Sequence, residues 1–228
     1  FQYICIDPYA NAFNSSPSDD ACTYGYLIPS NMFAVVVLGY LEEIEREIFH
    51  CPELEKEARE LKEKIHYAIE SIGKTATQEF GVIYAYETDG YGMYNLMDDA
   101  NVPSLLAMDY LGYPLDPDVG ENTRRFLLSN ANPYYYEGKK AAGIGSPHTP
   151  SSYIWHISMA IRGLTSKEKE EKKRVLRNMA DTTGGKGVMH EGFHVDDDTR
   201  YTREWFSWAN AMYAELFLDC SGYRLKIK

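Results

Sequence analysis

The chain has 228 residues, enough for one domain with a sizeable core, and its 44% hydrophobic and 25% charged residues are ordinary for a globular protein. Its formal net charge is −11, and no stretch supplies the basic face that binding to DNA or RNA requires. The composition therefore excludes nucleic-acid binding as the function, and a neutral substrate suits it better than a polyanion.

Neither a membrane segment nor a cysteine-built site is predicted. No apolar run reaches the roughly 18 residues that a membrane span needs. The four cysteines (Cys5, Cys22, Cys51 and Cys220) are widely spaced and form no CxxC pair, which argues against a structural zinc site or a disulfide scaffold. The chain begins at Phe1, so its start carries no information on targeting.

Two helices are predicted in the first third of the chain. Pro29 suits the first turn of a helix, which we expect to continue to about Phe49. The almost wholly apolar start of this helix, from Met32 to Leu41, predicts burial on most of its sides. A second helix is expected after Pro52, where apolar residues recur three and four positions apart, and the charged opposite face places it on the outside.

The rest of the chain is also predicted to be mainly helical. Helices are expected over residues 102–111 and 119–130, along the apolar stripe from Ile154 to Leu164, from a capping box at Thr165 and Glu168 to about Thr182, and from Thr202 onward. Alternation of period two is scarce, and only Gly81–Tyr86 and Lys186–Met189 are candidates for short strands. The predicted fold class is therefore all-α, with inner apolar helices alternating with outer amphipathic ones.

The side chains that could carry chemistry concentrate in long loops between these helices. Such loops inside a compact domain are often functional. The candidates are Asp19 and Asp20 in the loop 7–29, Asp98, Asp99 and Asn101 in 80–101, His148 in 131–152, and Glu191 in 183–201. Each alone has an ordinary interpretation as a helix cap or a turn residue. Acidic clusters on several loops of one chain instead predict converging carboxylates, of which one stays protonated as an acid while another acts as a base.

The segment from His190 to His194 matches the HExxH pattern of zinc metallopeptidases, with Glu215 as a candidate third ligand. That pattern binds zinc from a helix, because only there does the four-residue spacing bring both imidazoles to one face. Glycines precede the segment and Gly192 interrupts it, and each glycine in a helix costs about 1 kcal/mol. The sequence therefore disfavours a zinc metallopeptidase. A second alternative is a non-catalytic glycan-binding or scaffold protein.

Several segments in fixed order carry a resemblance to a known family. They are Pro17–Asp20, Ile28–Phe33, Tyr86–Gly90, Met97–Leu106, Gly143–Thr149, Met189–Glu191 and the stretch from Thr202 to Asn210. Together they resemble glycoside hydrolase family 125, the metal-independent exo-α-1,6-mannosidases. The resemblance implies an (α/α)6 barrel of two concentric helical rings, of which residues 1–228 form the C-terminal portion of the single catalytic domain.

The resemblance also implies an activity and the residues that perform it. The expected activity is removal of terminal α-1,6-linked mannose from a mannose-containing oligosaccharide or glycoprotein glycan, with inversion and with neither metal nor other cofactor. The general acid is then Asp19 or Asp20, which stay open as alternatives, and the general base is Glu191. Positions implied to bind mannose or to shape the site are Asp98, Asp99, Asn101, His148, Trp205 and Trp208. The chain departs from the family at Ser16, where an arginine is usual, and at Gly192, where serine is common.

Overall fold

The structure is a computed structural model that describes residues 21–223, so Asp19 and Asp20 lie outside the described residues. The chain divides into two compact units. The first comprises Phe1–Met97 and Pro103–Arg125, and the second comprises Asp98–Val102 and Phe126–Lys228. Between residues 21 and 223 the chain forms seven α-helices and ten short strands. No helix in this range is both long enough and apolar enough to cross a membrane.

The first unit is built around two long helices. Its elements are β1 (Tyr26–Leu27), α1 (Ile28–Ile44) with a π-helical extension (Glu45–Phe49), α2 (Pro52–Ile72), β2 (Lys74–Thr77), β3 (Gly81–Tyr84), β4 (Glu87–Thr88), β5 (Tyr94–Asn95), α3 (Met108–Leu111) and most of α4 (Pro117–Leu127). Strand β4 lies between β1 and β5 in an antiparallel sheet, and β2 pairs with β3.

Helices α1 and α2 confirm the first two helix predictions. Pro29 and Pro52 both lie in a first helical turn, where the N–H that proline lacks would have no partner within the helix. Burial of α1 differs from the prediction, because Met32 is buried while Val37 and Tyr40 are 46% and 58% exposed. The expectation that its apolar start is buried on most sides is therefore wrong for the described residues, which cover one face of the helix.

The second unit packs three helices and two small sheets around one core. Its elements are β6 (Tyr135–Glu137), β7 (Ala142–Ile144), β8 (Tyr153–Trp155), α5 (His156–Leu164), α6 (Lys169–Asp181), β9 (Gly192–His194), β10 (Asp197–Tyr201) and α7 (Ser207–Cys220). Helix α5 is buried along most of its length, and α6 and α7 both pack against it. Strand β9 lies between β8 and β10.

The helix-rich character of the fold is confirmed, but the all-α prediction omitted most of the strands. Gly81–Tyr84 is a strand as expected, whereas residues 186–189 form bends and irregular backbone. The strands are two to five residues long, so side-chain alternation has no room to show in the sequence. Helix α3 has only four residues, and the last helix begins at Ser207 instead of Thr202.

The predicted capping box at the start of α6 is also wrong. Thr165 belongs to the end of α5, where its hydroxyl donates to the carbonyl of Ile161 at 2.8 Å. Ser166 takes the local role instead, because its Oγ accepts the N–H of Glu168 at 3.1 Å and donates to Glu171. The sequence therefore predicted helix α6 correctly, but the hydroxyl that contacts its start belongs to Ser166 and not to Thr165.

Candidate active site

Glu191 lies on a two-stranded ribbon of the second unit, formed by residues 189–192 running beside residues 202–206. Three backbone hydrogen bonds join the two segments: Thr202 N–H to Gly192 O at 2.8 Å, Phe206 N–H to Met189 O at 3.0 Å, and Glu191 N–H to Arg203 O at 3.4 Å. The hydroxyl of Thr202 also accepts the N–H of Gly192 at 3.1 Å. Hydrogen bonds at Glu191 itself and at residues before and after it therefore hold its backbone in place.

The carboxylate of Glu191 is buried beside one cation. Its side chain is 7% exposed, and its Oε1 lies 3.2 Å from Nε of Arg203, whose side chain is 61% exposed. The guanidinium carbon of Arg203 lies 5.7 Å from the ring centre of Phe206, within the range of a cation–π contact. No other described residue binds the Glu191 carboxylate. A buried carboxylate with one oxygen held and the other available can take a proton from water.

The zinc arrangement that the HExxH pattern suggested is not formed. Gly192–His194 is strand β9, so His190 and His194 do not share the face of a helix. Nδ1 of His190 donates to the carbonyl of Glu204, and its ring stacks on Tyr201 at a centroid distance of 4.0 Å. In the described part of the chain, no group of three or more His, Cys, Asp or Glu side chains could hold a metal ion.

The second acidic loop is buried in the same unit as Glu191. Asp98, Asp99 and Asn101 are almost fully inaccessible. Oδ1 of Asp99 accepts the N–H of Asn101 at 3.1 Å, so the loop forms a tight local turn. The N–H of Ala100 donates to the carbonyl of Gly145 at 3.0 Å and joins this loop to the one that carries His148. The sequence predicted these side chains as candidates, and the structure places them in the interior.

One apolar core supports three of the predicted loops. Ala100, Met189 and Phe193 belong to a single cluster of buried residues, together with Trp155. In the β8–β9 pair, Trp155 lies opposite Gly192, and its indole N–H donates to Oγ1 of Thr149 at 3.0 Å. The loops with Asp98, His148 and Glu191 therefore stand on the same core of the second unit.

His148, Trp205 and Trp208 are exposed, unlike the buried carboxylates. The indoles of Trp205 and Trp208 are 63% and 58% exposed, and the ring of Trp208 lies 5.4 Å from that of Phe206. Trp205 belongs to the ribbon that carries Glu191, and Trp208 lies in the first turn of α7. Such rings combine an apolar face with a polar edge, which suits stacking against a sugar.

A buried carboxylate of the first unit fixes the chain that follows Asp20. Oε2 of Glu87 accepts the backbone N–H groups of Thr23 and Tyr24 at 2.8 and 3.0 Å, and Glu87 is buried. Burial, reinforced by the charge of Glu87, raises the pKa of the Cys22 thiol to about 11. Sequence reasoning assigned no role to Glu87 or to Arg203, although both lie in segments that carry the family resemblance.

The buried His156 contacts the ribbon through His190. Because its burial disfavours protonation, we expect the protein to lose stability in mild acid. Nδ1 of His156 accepts the N–H of His190 at 3.0 Å, and burial lowers the pKa of His156 from 6.5 to about 3. The folded state therefore keeps His156 neutral while the unfolded chain takes up a proton. Its contribution to stability is complete above pH 6.5 and is lost as the pH falls from 6.5 towards 3.

We expect the free energy of unfolding to drop by about 2 kcal/mol between neutral pH and about pH 5 because of this histidine. Urea unfolding at both pH values measures the drop, and His156→Gln should remove most of it. His50→Asn changes an exposed histidine with left-handed backbone and should keep the full drop. An equal drop in wild type and in His156→Gln would show that His156 is not responsible.

Glu191 is a buried carboxylate in a unit that also holds the buried Asp98 and Asp99 and exposed indole rings, a set of side chains that suits a glycoside hydrolase, which works with two carboxylic acids. The sequence matches the family described as metal-independent alpha-mannosidase (GH125) over residues 15–218. The chain belongs to this family.

Two relatives illustrate the match. A solved Streptococcus pneumoniae structure, described as a metal-independent alpha mannosidase in a non-productive substrate complex with alpha-1,6-mannobiose, is 51% identical with a TM-score of 0.89. The alignment covers 91% of this chain and 50% of that one. The meiotically up-regulated gene 157 protein of Schizosaccharomyces pombe is 43% identical over 205 residues, which are 89% of this chain and 40% of that protein. The chain therefore spans half or less of the length of these relatives.

Proposed function

We propose that the protein is an exo-α-mannosidase that removes terminal α-1,6-linked mannose from glycans with inversion. The observation that carries the proposal is the Glu191 carboxylate, which is buried on a rigid ribbon with one oxygen bound by Arg203 and the other bound by no described residue. Membership of the family supports the reaction class. The mannobiose in the Streptococcus pneumoniae complex supports the linkage.

In the proposed mechanism, Asp19 or Asp20 protonates the glycosidic oxygen while Glu191 takes a proton from a water molecule. That water attacks the anomeric carbon from the face opposite the leaving group, so the configuration inverts. The acid and base carboxyls of such enzymes stand about 6.5–9.5 Å apart to accommodate the water. The acid must keep its proton near neutral pH, which burial or neighbouring carboxylates achieve.

The remaining candidates take binding roles in this proposal. Asp98, Asp99 and Asn101 supply buried oxygen and nitrogen atoms that suit the hydroxyl groups of one mannose ring. His148 and the indoles of Trp205 and Trp208 are exposed, and they offer a polar edge and apolar faces to the sugar. The substrate is thus a neutral mannose-containing glycan, in agreement with the formal net charge of −11.

We further propose that residues 1–228 form the C-terminal portion of a single catalytic (α/α)6 domain. Two observations support this architecture. The helix-rich fold aligns with a relative of about twice its length. Helix α1 leaves Val37, Tyr40 and Leu41 exposed, as expected for an inner helix that further helices of the ring would cover.

The proposed function is tested by incubating full-length protein with α-1,6-mannobiose, with and without prior treatment with a strong chelator. We expect mannose release at the same rate in both samples, because proton transfer between carboxyls and water needs no metal. A zinc-dependent peptidase treated in parallel should lose its activity, which verifies the chelation. Absence of mannose release, or release that the chelator abolishes and zinc restores, would contradict the proposal.

A further inference from the structure

Arg203 holds Glu191 through both its backbone and its side chain. Its carbonyl accepts the N–H of Glu191 at 3.4 Å, and its Nε lies 3.2 Å from Oε1 of the same residue. Neighbouring residues of the ribbon fix Arg203 in turn, because Thr202 and Phe206 each donate a backbone N–H to the opposite segment. The position of the Glu191 carboxylate is thus linked to the conformation of one residue.

That conformation is strained. Arg203 has a φ of +32°, in the left-handed region that residues with a Cβ rarely adopt. Among the described residues other than glycine, positive φ occurs at His50 and Ser152 as well. Unfavourable backbone geometry persists only where the surroundings enforce it, and it is concentrated at functional sites. A glycine or asparagine would adopt this backbone more easily, so the identity of the residue at 203 is explained by its side chain.

The guanidinium of Arg203 is held in a defined place although it is exposed. Its carbon lies 5.7 Å from the ring centre of Phe206, which is itself anchored by a backbone hydrogen bond to Met189. Contact with the aromatic face restricts the long side chain at low cost in entropy. The ion pair can therefore keep one carboxylate oxygen of Glu191 close to a guanidinium that is itself held in place.

We propose that Arg203 is the positioning residue of the general base: its Nε fixes Oε1 of Glu191 and so directs Oε2 towards the reacting water. This proposal rests on the proposed function. In the step concerned, a water O–H bond breaks and its proton goes to Oε2 of Glu191. The water oxygen forms a bond to the anomeric carbon as the glycosidic carbon–oxygen bond breaks, and the leaving oxygen takes the proton of the aspartic acid.

The test compares Arg203→Gly and Arg203→Lys with wild type in the full-length protein. With α-1,6-mannobiose, Arg203→Gly should lower kcat by about 10²-fold with little change in KM, because a misdirected base slows chemistry without weakening sugar binding. Arg203→Lys keeps the positive charge but lacks the planar guanidinium, so its kcat should lie between that of wild type and that of Arg203→Gly. Added guanidinium should restore part of the kcat of Arg203→Gly, which no general loss of folding would permit.

Ser152→Gly is the matched control, because Ser152 has a φ of +68° and its backbone forms no hydrogen bond with Glu191. Its kcat should equal that of wild type, which separates relief of strain from loss of the guanidinium. Wild-type kcat in Arg203→Gly, or a raised KM with kcat retained, would overturn the positioning role, and the latter would assign Arg203 to substrate binding.

A crystal structure of Arg203→Gly gives a readout that does not depend on turnover. We expect the Glu191 carboxylate to shift or to occupy several rotamers, whereas an unchanged carboxylate would overturn the proposal. An inactive wild type would instead refute the proposed function, so the two failures are distinguishable.

Discussion

We expect Glu191→Gln to lower kcat for α-1,6-mannobiose by about 10³-fold in the full-length protein and to leave KM nearly unchanged. Glutamine has almost the same shape as glutamate, so the ribbon and its backbone hydrogen bonds stay in place. The amide cannot accept the proton of the attacking water, and the loss therefore falls on the chemical step. Initial rates over a range of mannobiose concentrations measure both constants.

Glu204→Gln is the matched control for this prediction. Glu204 lies on the same ribbon, but its exposed carboxylate binds Lys186 and the hydroxyl of Tyr201, not the Arg203–Glu191 pair. We expect its kcat to match that of wild type. If Glu191→Gln kept wild-type kcat as well, Glu191 would not be the base, and the two-carboxylate mechanism would lose its only described member.

Gly145→Ala should destabilise the protein by about 3 kcal/mol, the upper end of the usual cost of overpacking. A Cβ at this position would lie 2.1 Å from the carbonyl oxygen of Tyr153 and 2.9 Å from the ring of Tyr136. Relief would require a backbone shift, and the carbonyl of Gly145 binds the loop that carries Asp98 and Asp99 through Ala100. Urea unfolding monitored by intrinsic fluorescence measures the change.

Gly143→Ala supplies the comparison two residues away. A Cβ there would lie 3.5 Å from Cδ1 of Ile154 and from Cγ of Met159, which is ordinary van der Waals contact with side chains. We expect a change below about 1 kcal/mol, within the usual range for small substitutions that create no clash. Equal destabilisation by both substitutions would show that the close approach at Gly145 does not limit stability.

The longest helices could be predicted from the sequence because their signals are local. Pro29 and Pro52 mark two helix starts. Apolar residues three and four positions apart predict much of the buried face of α2, where Ala58, Ile65 and Ala68 are buried, although Leu54 and Leu61 of the same stripe are exposed. The ribbon could not be predicted in this way. Its two segments are joined by backbone hydrogen bonds across a chain reversal, and such bonds leave no periodic pattern in either segment.

The candidate site was predictable to a similar extent. The glycines around the HExxH segment correctly predicted that it is not a helix, and the structure shows a strand there. The resemblance pointed to Glu191, and the acidic loops pointed to Asp98 and Asp99, which are buried with it in one unit. The pairing of Arg203 with Glu191 escaped prediction, because it depends on the register of the ribbon.

The departure at Gly192 has a structural explanation. A Cβ at this position would lie 3.1 Å from Cδ1 and Nε1 of Trp155 and 3.3 Å from Oγ1 of Thr202. Here Trp155 packs against the bare backbone directly after the base, in a space that a serine would have to share. The absence of a side chain at Gly192 thus leaves room for the close packing of Trp155 and Thr202.

The stereochemistry of the first sugar released tests the central claim most directly. Proton NMR of full-length protein with α-1,6-mannobiose should show β-mannose first, followed by slow mutarotation to the α anomer, because Glu191 activates water on the face opposite the leaving group. Early appearance of α-mannose would mean that the configuration is retained through two displacements. Glu191 would then not act as a base on water, and the account of the ribbon and its arginine would be contradicted.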